Sequence, residues 1–184
     1  MTKNIYKPGK YVITGGPCAG KSTLISALRA KGFHGINEPA RDLISLLIRE
    51  DSPLLPWRNK LGFRELLVAK TIEVYLSAPS DVVCFFECAQ PENIAYYQKD
   101  GYTPIEACIN SCFTQRFDKI FICPPWKEIF ENDEVRKETF EESVVLHDLI
   151  RNAYLNLRYS LTEVPKSTIE KRVEFVLTEI RQYK

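Results

Sequence analysis

The feature that most constrains the fold of this chain is a glycine-rich turn between two segments of different periodicity. Residues 10–14 (KYVIT) predict a short buried strand, and residues 21–30 predict a helix with apolar residues at helical spacing. The sequence between them, GGPCAGKS at 15–22, matches the pattern G-x-x-x-x-G-K-[ST]. Strand, loop and helix in this order predict a loop that wraps an anion with backbone N–H groups at a helix N-terminus.

Each part of this loop has a role in binding a nucleoside triphosphate. Glycines let the backbone N–H groups point at phosphate oxygens, Lys21 can reach the β- and γ-phosphates, and the Ser22 hydroxyl can ligate Mg²⁺. The alternative is an ordinary glycine-rich turn between a strand and a helix. The predicted cofactors are ATP and Mg²⁺, and the predicted nucleotide-binding residues are Gly15, Gly16, Pro17, Cys18, Ala19, Gly20, Lys21, Ser22 and Thr23.

Strand-like and helix-like segments alternate along the rest of the chain. Further strands are predicted at 33–37, 82–86, 119–123 and 159–164, and helices near 39–51, 59–76, 92–99, 104–113, up to 154, and 168–182. This alternation predicts the α/β class, with a parallel sheet covered by helices on both faces. Together with the loop, it predicts a three-layer P-loop NTPase sandwich with five strands, in a single domain over residues 1–184.

Composition limits the partners of the chain. The 184 residues carry 25 Lys plus Arg against 24 Asp plus Glu, and a net charge of +1 argues against a nucleic-acid coat or a polybasic membrane patch. The apolar run at 82–86 is too short to cross a bilayer, and the N-terminus lacks the hydrophobic core of a signal peptide. We therefore expect a cytoplasmic protein without nucleic-acid or membrane partners, and no feature indicates an oligomeric state.

The six cysteines predict reduced thiols rather than disulfides. Cys18 lies in the loop, while Cys84 and Cys123 lie in apolar strand-like runs, as expected for small core residues in a reducing compartment. Cys108 and Cys112 have helical i, i+4 spacing, so a metal site is an alternative there. No second pair or histidine lies near them in sequence, and we expect them to pack in the core.

Two acidic residues follow predicted strands, at the sheet edge where doubly wound folds bind ligands. Glu87 closes an apolar run and is expected in the Mg²⁺ shell together with Ser22. Glu38 precedes a helix that starts Pro-Ala-Arg, and a carboxylate there can accept the proton of an attacking hydroxyl. The alternative for each is a helix-capping or solvated acid.

These motifs resemble a known family. The chain is similar to the small stand-alone AAA-domain family of predicted P-loop ATPase/kinases, which resembles ribosylnicotinamide kinase domains and, more distantly, deoxynucleoside and thymidylate kinases. The resemblance covers about residues 10–180 and depends on the loop and on these segments: NEPAR at 37–41, FDKIFICPPW at 117–126, DEVR at 133–136, EVP at 163–165 and RVEF at 172–175.

The resemblance implies roles for individual residues. Glu38 would be the base toward the acceptor hydroxyl, and Arg41 would meet acceptor or phosphate. Arg136 would lie on a lid-like segment at about 124–138 and close over the phosphates, although a solvated helix face is the alternative for that stretch. The implied catalytic residues are Lys21, Glu38 and Arg136, and the implied substrate-binding residues are Arg41 and Glu87.

One position departs from the family pattern. After the third strand the family has an acid followed by arginine, whereas this chain has Glu87 followed by Cys88. Cysteine cannot make a bidentate contact to phosphate or sugar oxygens. Either Arg41, Arg116 or another cation supplies the charge, or the acceptor differs, or transferase activity is weak.

Three functions are therefore compatible with the sequence. The first is a small-molecule kinase that transfers the ATP γ-phosphoryl group to a hydroxyl of a nucleoside-like acceptor. The second is an ATPase or nucleotide-dependent switch, and the third is a nucleotide-binding interaction module without turnover. The lid-like segment favours the kinase, because excluding water matters most when phosphate must reach another hydroxyl.

The helix near 59–76 is a candidate wall of the acceptor site. Trp57, Arg58, Phe63 and Arg64 near its start could stack on a ring and hold its polar substituents. The alternative is that the apolar residues of this helix are core and that both arginines are solvated.

Overall fold

The computed structural model describes residues 5–131 and 138–182, and five of its strands pair in one parallel sheet in the order β2-β3-β1-β4-β5. The strands are β1 Gly9–Thr14, β2 His34–Ile36, β3 Val83–Glu87, β4 Lys119–Ile122 and β5 Leu161–Glu163. This confirms the predicted α/β class and the five-stranded parallel sheet. Each strand lies within two or three residues of its predicted bounds.

Helices connect the strands. They are α1 Lys21–Ala30, α2 Pro39–Arg49, α3 Lys60–Ser77, α4 Gln90–Lys99, α5 Glu106–Thr114, α6 Phe140–Asn156 and α7 Ile169–Glu179, with a 3₁₀ turn at Lys127–Ile129. Helix α4 starts two residues before the prediction, because Pro91 fits its first turn. Helix α7 ends earlier than predicted because Arg181 forms an antiparallel bridge with Tyr6. No helix in the described ranges is long and apolar enough to span a membrane.

Alternate residues of the central strands cover the two faces of the sheet. Ile13 and Phe85 face a core built with α1 and α7, whereas Val12 and Phe86 face a second core built with α4, α5 and α6. Both strands are therefore apolar on each side, as expected for a parallel sheet covered by helices on both faces. The predicted three-layer arrangement is confirmed.

A third apolar cluster joins α2 to α3. Leu43 and Leu47 of α2 pack on Phe63 and Leu67 of α3, and Leu55 from the connecting segment completes the cluster. The Asn59 side chain accepts a hydrogen bond of 2.9 Å from the Gly62 N–H and so starts α3. This cluster holds the two helices together at one side of the carboxyl ends of β2 and β3.

Helix α6 begins with a capping box. The Thr139 hydroxyl accepts from the Glu142 N–H at 3.1 Å, and the Glu142 carboxylate accepts from the Thr139 N–H at 2.7 Å. The helix therefore has a defined first turn directly after the 132–137 segment, which lies outside the described residues.

Replacement of a core isoleucine should destabilise the protein by a predictable amount. Ile25 is completely buried between α1 and the sheet, so Ile25→Ala should lower the free energy of unfolding by about 2–5 kcal/mol. Ile48→Ala on α2 is the matched control, because Ile48 is 54% exposed and should change stability by about 0.5 kcal/mol or less. Urea denaturation of the three proteins measures both values, and equal losses would contradict this description of the core.

Candidate active site

The phosphate-binding loop leaves the carboxyl end of β1, the central strand of the sheet. Gly15 has φ of 129°, and a Cβ there would lie 2.3 Å from the Cys123 carbonyl oxygen of the neighbouring strand end. Gly20, with φ of 74°, is the left-handed residue that precedes the first turn of α1. The loop therefore needs glycine at both positions, as the motif predicts.

Lys21 is buried beneath the loop, with 5% of its surface exposed. Its Nζ donates to the carbonyl oxygens of Gly15 and Gly16 at 2.9 and 2.8 Å. Burial alone would lower the pKa of Lys21. Four nearby groups have the opposite effect and together raise that pKa above its ordinary value of 10.5; they are Cys88, Glu38, Glu92 and Glu87. Lys21 is therefore a buried cation surrounded by acids.

Ser22 and Glu87 meet at the N-terminus of α1. The Ser22 hydroxyl donates to Glu87 Oε1 at 2.5 Å, and Glu87 is the last residue of β3 rather than the residue after it. A hydroxyl and a carboxylate are the hard oxygen donors that Mg²⁺ prefers. The pair predicted as metal ligands is thus brought together, and its chemistry fits Mg²⁺.

A groove beside the loop has a volume of about 490 Å³. It is lined by residues 18–23 of the loop and α1, by Trp126, Ile129 and Glu131, and by residues 167–169 and Arg172. The buried Arg172 donates to the Ala19 carbonyl and to Cys123 Sγ, both at 3.1 Å, and so braces the loop from α7. Sequence reasoning gave Arg172 no role, because its contacts cross from one end of the chain to the other.

A second cavity, of about 180 Å³, lies between α2, α3 and α4. We call it the acceptor cavity. Apolar and aromatic side chains form much of its wall, among them Ile44, Pro56, Phe63, Leu67 and Tyr96. Its polar lining comprises Glu38, Arg41, Arg64, Thr71, Cys88, Glu92, Asn93 and Glu138.

Glu38 and Arg41 both line the acceptor cavity, at the start of α2. Glu38 is half-buried and occupies the N-cap position, yet its side chain makes no capping hydrogen bond to the helix. The helix-capping alternative for Glu38 is therefore not what the structure contains. Arg41 is more exposed and lies one turn further along the same wall.

Cys88, at the position where the resemblance leads us to expect arginine, also lines the acceptor cavity. Its backbone is left-handed, with φ of 70°, and burial, reinforced by the carboxylates around it, raises the pKa of its thiol well above the ordinary value of 9.0. Cys88 is therefore an uncharged thiol. Arg116 does not replace the missing cation. It lies before the amino-terminal end of β4, whereas the site lies at the carboxyl ends of the strands, and its guanidinium is 3.7 Å over the Tyr159 ring.

Arg64 of α3 turns into the protein rather than toward water. Its Nε donates to Asp100 at 2.9 Å, and its guanidinium lies 4.4 Å over the Tyr96 ring. The alternative that both arginines near 59–76 are solvated is therefore wrong for Arg64, because Tyr96 of α4 and Asp100, the C-cap residue of α4, are not predictable from the sequence of α3 alone. Trp57 is largely exposed and is not among the lining residues.

Glu92 is a site residue that sequence reasoning missed. It is 4% exposed, and its Oε1 accepts hydrogen bonds from the Thr14 hydroxyl at 2.6 Å and the Tyr154 hydroxyl at 3.1 Å. Desolvation by burial raises its pKa from 4.5 to about 6, against the opposing effects of Lys21 and of hydrogen bonds from Cys88 and Thr14. The only sequence signal was the polar run QPEN at 90–93, shortly after a buried strand. The structure shows that the polar residues of this run are all buried.

Two further predictions from the sequence concern the lid-like segment with Arg136 and the pair Cys108 and Cys112. Arg136 and most of the charged part of the lid-like segment lie outside the described residues. Cys108 and Cys112 are completely buried in apolar surroundings, and within 5–131 and 138–182 no three His, Cys, Asp or Glu side chains group as a metal site.

The raised pKa of Glu92 predicts a pH-dependent cost to stability. The folded state holds the Glu92 proton more tightly than the unfolded chain does. This proton therefore stabilises the folded state fully below about pH 4.5, and the stabilisation is lost as the pH rises through 6. Relative to Glu92→Gln, the wild type should lose about 2 kcal/mol of unfolding free energy between pH 4.5 and 7.5. Urea denaturation at several pH values measures this difference, with the exposed Glu106→Gln as control. A difference that does not change with pH would contradict the environment described for Glu92.

Solved structures with the same fold include several kinases. Deoxyadenosine kinase from M. mycoides, with dCMP and dCDP bound, is 14% identical with a TM-score of 0.64, over 92% of this chain and 97% of that chain. Thymidylate kinase from Ehrlichia chaffeensis is 12% identical with a TM-score of 0.65, over 94% and 98%. The NadR protein in complex with NR is 15% identical with a TM-score of 0.68, over 95% of this chain and 52% of that one. At these identities the likeness establishes the fold.

Sequence comparison gives the family. No curated protein matches the chain. The model of a family described as AAA domain matches residues 10–172, which include the phosphate-binding loop, all five strands, Glu38 and Glu87. Since this match spans most of the chain, the protein belongs to that AAA-domain family.

Proposed function

We propose that the protein is an ATP- and Mg²⁺-dependent kinase that transfers the γ-phosphoryl group to a hydroxyl of a small, nucleoside-like acceptor. The observation that carries this proposal is that the structure has two separate spaces near Lys21 and the Ser22–Glu87 pair: the groove beside the loop and the acceptor cavity. Lys21 and Ser22 line the groove beside the loop. Glu38 and Glu92, which line the acceptor cavity, are among the groups that raise the pKa of Lys21. A transferase needs two such spaces, whereas a hydrolase needs one.

In this proposal the loop and Lys21 hold the triphosphate. The backbone N–H groups of residues 15–20 and the N-terminus of α1 favour phosphate oxygens, and the Lys21 ammonium can leave the loop carbonyls for the β- and γ-phosphates. When bound at Ser22 and Glu87, Mg²⁺ supplies neutralisation of the phosphate charge. Arg172 keeps the loop in place through the Ala19 carbonyl.

Glu38 is proposed as the base. It lies at the carboxyl end of β2, on the cavity wall, and a carboxylate there can accept the proton of the acceptor hydroxyl as the hydroxyl attacks. Arg41 on the same wall is proposed to bind acceptor or phosphate, and Arg136, on the segment before α6, to close over the phosphates.

The nature of the acceptor cavity supports a small ring-bearing acceptor. Aromatic rings of Phe63 and Tyr96 line it together with aliphatic side chains, and its polar groups are concentrated on α4 and at the start of α2. Such a cavity suits a planar apolar ring with a few hydrogen-bonding substituents. Deoxyadenosine kinase, which shares the fold, is named for a nucleoside acceptor, and thymidylate kinase is named for a nucleoside monophosphate.

Removal of the Lys21 ammonium should abolish turnover. Lys21→Ala should weaken Mg·ATP binding by about ten-fold or more, because it removes a charge-assisted contact that little water competes for. Calorimetric titration measures this affinity, with Lys31→Ala at the exposed end of α1 as the matched control. Unchanged Mg·ATP affinity in Lys21→Ala would contradict the assignment.

Replacement of Glu38 by glutamine should slow phosphoryl transfer without changing the affinity for Mg·ATP. Glu38→Gln keeps the side-chain size but cannot accept the proton, so phosphoryl transfer should fall by about 10²–10⁴-fold while Mg·ATP affinity stays within about two-fold. The matched control is Glu50→Gln at the exposed end of α2. Transfer at the wild-type rate would show that Glu38 is not the base.

A screen of nucleosides and related alcohols, with ATP consumption compared with an acceptor-free reaction, tests the proposed function itself. Acceptor-dependent consumption supports the kinase. Equal consumption with and without every acceptor would favour the ATPase or switch instead.

A further inference from the structure

The acceptor cavity has an acidic end where a phosphorylated acceptor would need cations. Glu38 and Glu92 line this end, and Glu87 lies one residue before the cavity-lining Cys88. We call Glu38, Glu87 and Glu92 the acid cluster. Each of the three raises the pKa of Lys21, so each lies near enough to the Lys21 ammonium to interact with its charge.

The cations near this end are largely engaged elsewhere. Lys21 Nζ donates to the loop carbonyls, and Arg64 pairs with Asp100 while its plane covers Tyr96. Cys88, which lines the cavity, is an uncharged thiol and supplies no positive charge. Arg41 lies on the rim at the more exposed part of the wall.

Glu92 is the member of the acid cluster whose orientation is most tightly determined. Thr14 precedes the phosphate-binding loop and Tyr154 lies on α6, and both donate to the same oxygen, Oε1. Two donors on one oxygen hold the carboxylate plane in place. Glu92 lines the cavity and is also hydrogen-bonded to the Cys88 thiol, and the ligand contact is assigned to Oε2 because both of the other donors are on Oε1.

We propose that Glu92 determines acceptor specificity: Oε2 accepts a hydrogen bond from a hydroxyl or amino group of an unphosphorylated nucleoside, and its charge rejects a nucleoside monophosphate. This inference depends on the proposed kinase function and narrows its substrate class. A monophosphate would bring a dianion against Glu92 and Glu38 in a space with little water, where like charges repel strongly. A nucleoside is uncharged and carries hydroxyl donors, and a hydrogen bond to a charged acceptor changes affinity by about ten-fold or more.

Glutamine at position 92 separates this role from a purely structural one. The amide oxygen of Gln can still accept from Thr14 and Tyr154, so the contacts that brace the loop and α6 are kept. Its NH₂ group then replaces Oε2, which converts the cavity-facing acceptor into a neutral donor. Glu92→Asp is the second variant: it keeps the charge but is one methylene shorter.

The experiment compares binding of a nucleoside panel and of the matching 5′-monophosphates by calorimetry, in the presence of saturating Mg·ADP. Wild type should prefer nucleosides by about ten-fold or more. Glu92→Gln should lose about ten-fold in nucleoside affinity and most of that preference, while its ADP affinity is unchanged. Glu92→Asp should still reject monophosphates. Glu106→Gln on α5, which is exposed and distant in sequence, should behave as wild type.

The outcomes distinguish this inference from the function on which it depends. A wild type that prefers monophosphates, or a Glu92→Gln protein with wild-type selectivity, overturns the role of Glu92 but leaves a kinase. A wild type that neither binds nor phosphorylates any panel member, while hydrolysing ATP alone, overturns the proposed function and this inference with it.

Discussion

The site depends on one buried cation. Lys21 lies where water cannot solvate its charge, and an isolated ammonium in such a place would be strongly destabilising. Two loop carbonyls accept its protons, and the acid cluster supplies the opposite charge from the ends of β2 and β3 and from α4. Because the acids outnumber the lysine, the same volume has an excess of negative charge, which a bound metal or an added proton can relieve. Mg²⁺ bound as proposed at Ser22 and Glu87 would add positive charge here, whereas the raised pKa of Glu92 comes first from its burial.

The order of the strands explains how these groups meet. With β1 central, the loop emerges between the ends of β3 and β4, and the parallel register places Ile13 beside Glu87. The connections on the two sides of β1 lead to opposite parts of the sheet, which creates the crevice in which open α/β folds bind ligands. Helices α2, α3 and α4 then enclose the acceptor side, so the position of the cavity follows from topology and not from any single motif.

The sequence predicts those parts of the site whose geometry is local. The loop, Ser22 and the start of α1 lie within ten residues of one another, and their pattern is sufficient. Glu87 and Glu38 are predictable because parallel strands end at a common edge. Glu92, Arg64 and Arg172 are not, because each acquires its role from partners 36 to 153 positions away in sequence. A pattern along the chain shows that a residue is polar, but only the fold shows that it is buried.

Three energetically unfavourable features lie around the phosphate-binding loop and the two spaces beside it. Cys88 has a left-handed backbone, Glu92 is held with a raised pKa, and Arg172 Nε has no hydrogen-bond partner within the described ranges. Each costs stability that an apolar side chain or a glycine would not cost. Burial of apolar side chains in the two cores on either face of the sheet offsets these costs. Since strain and buried charge persist only where the surrounding structure imposes them, Cys88 and Glu92 on the wall of the acceptor cavity point to a constraint on ligand chemistry rather than on folding.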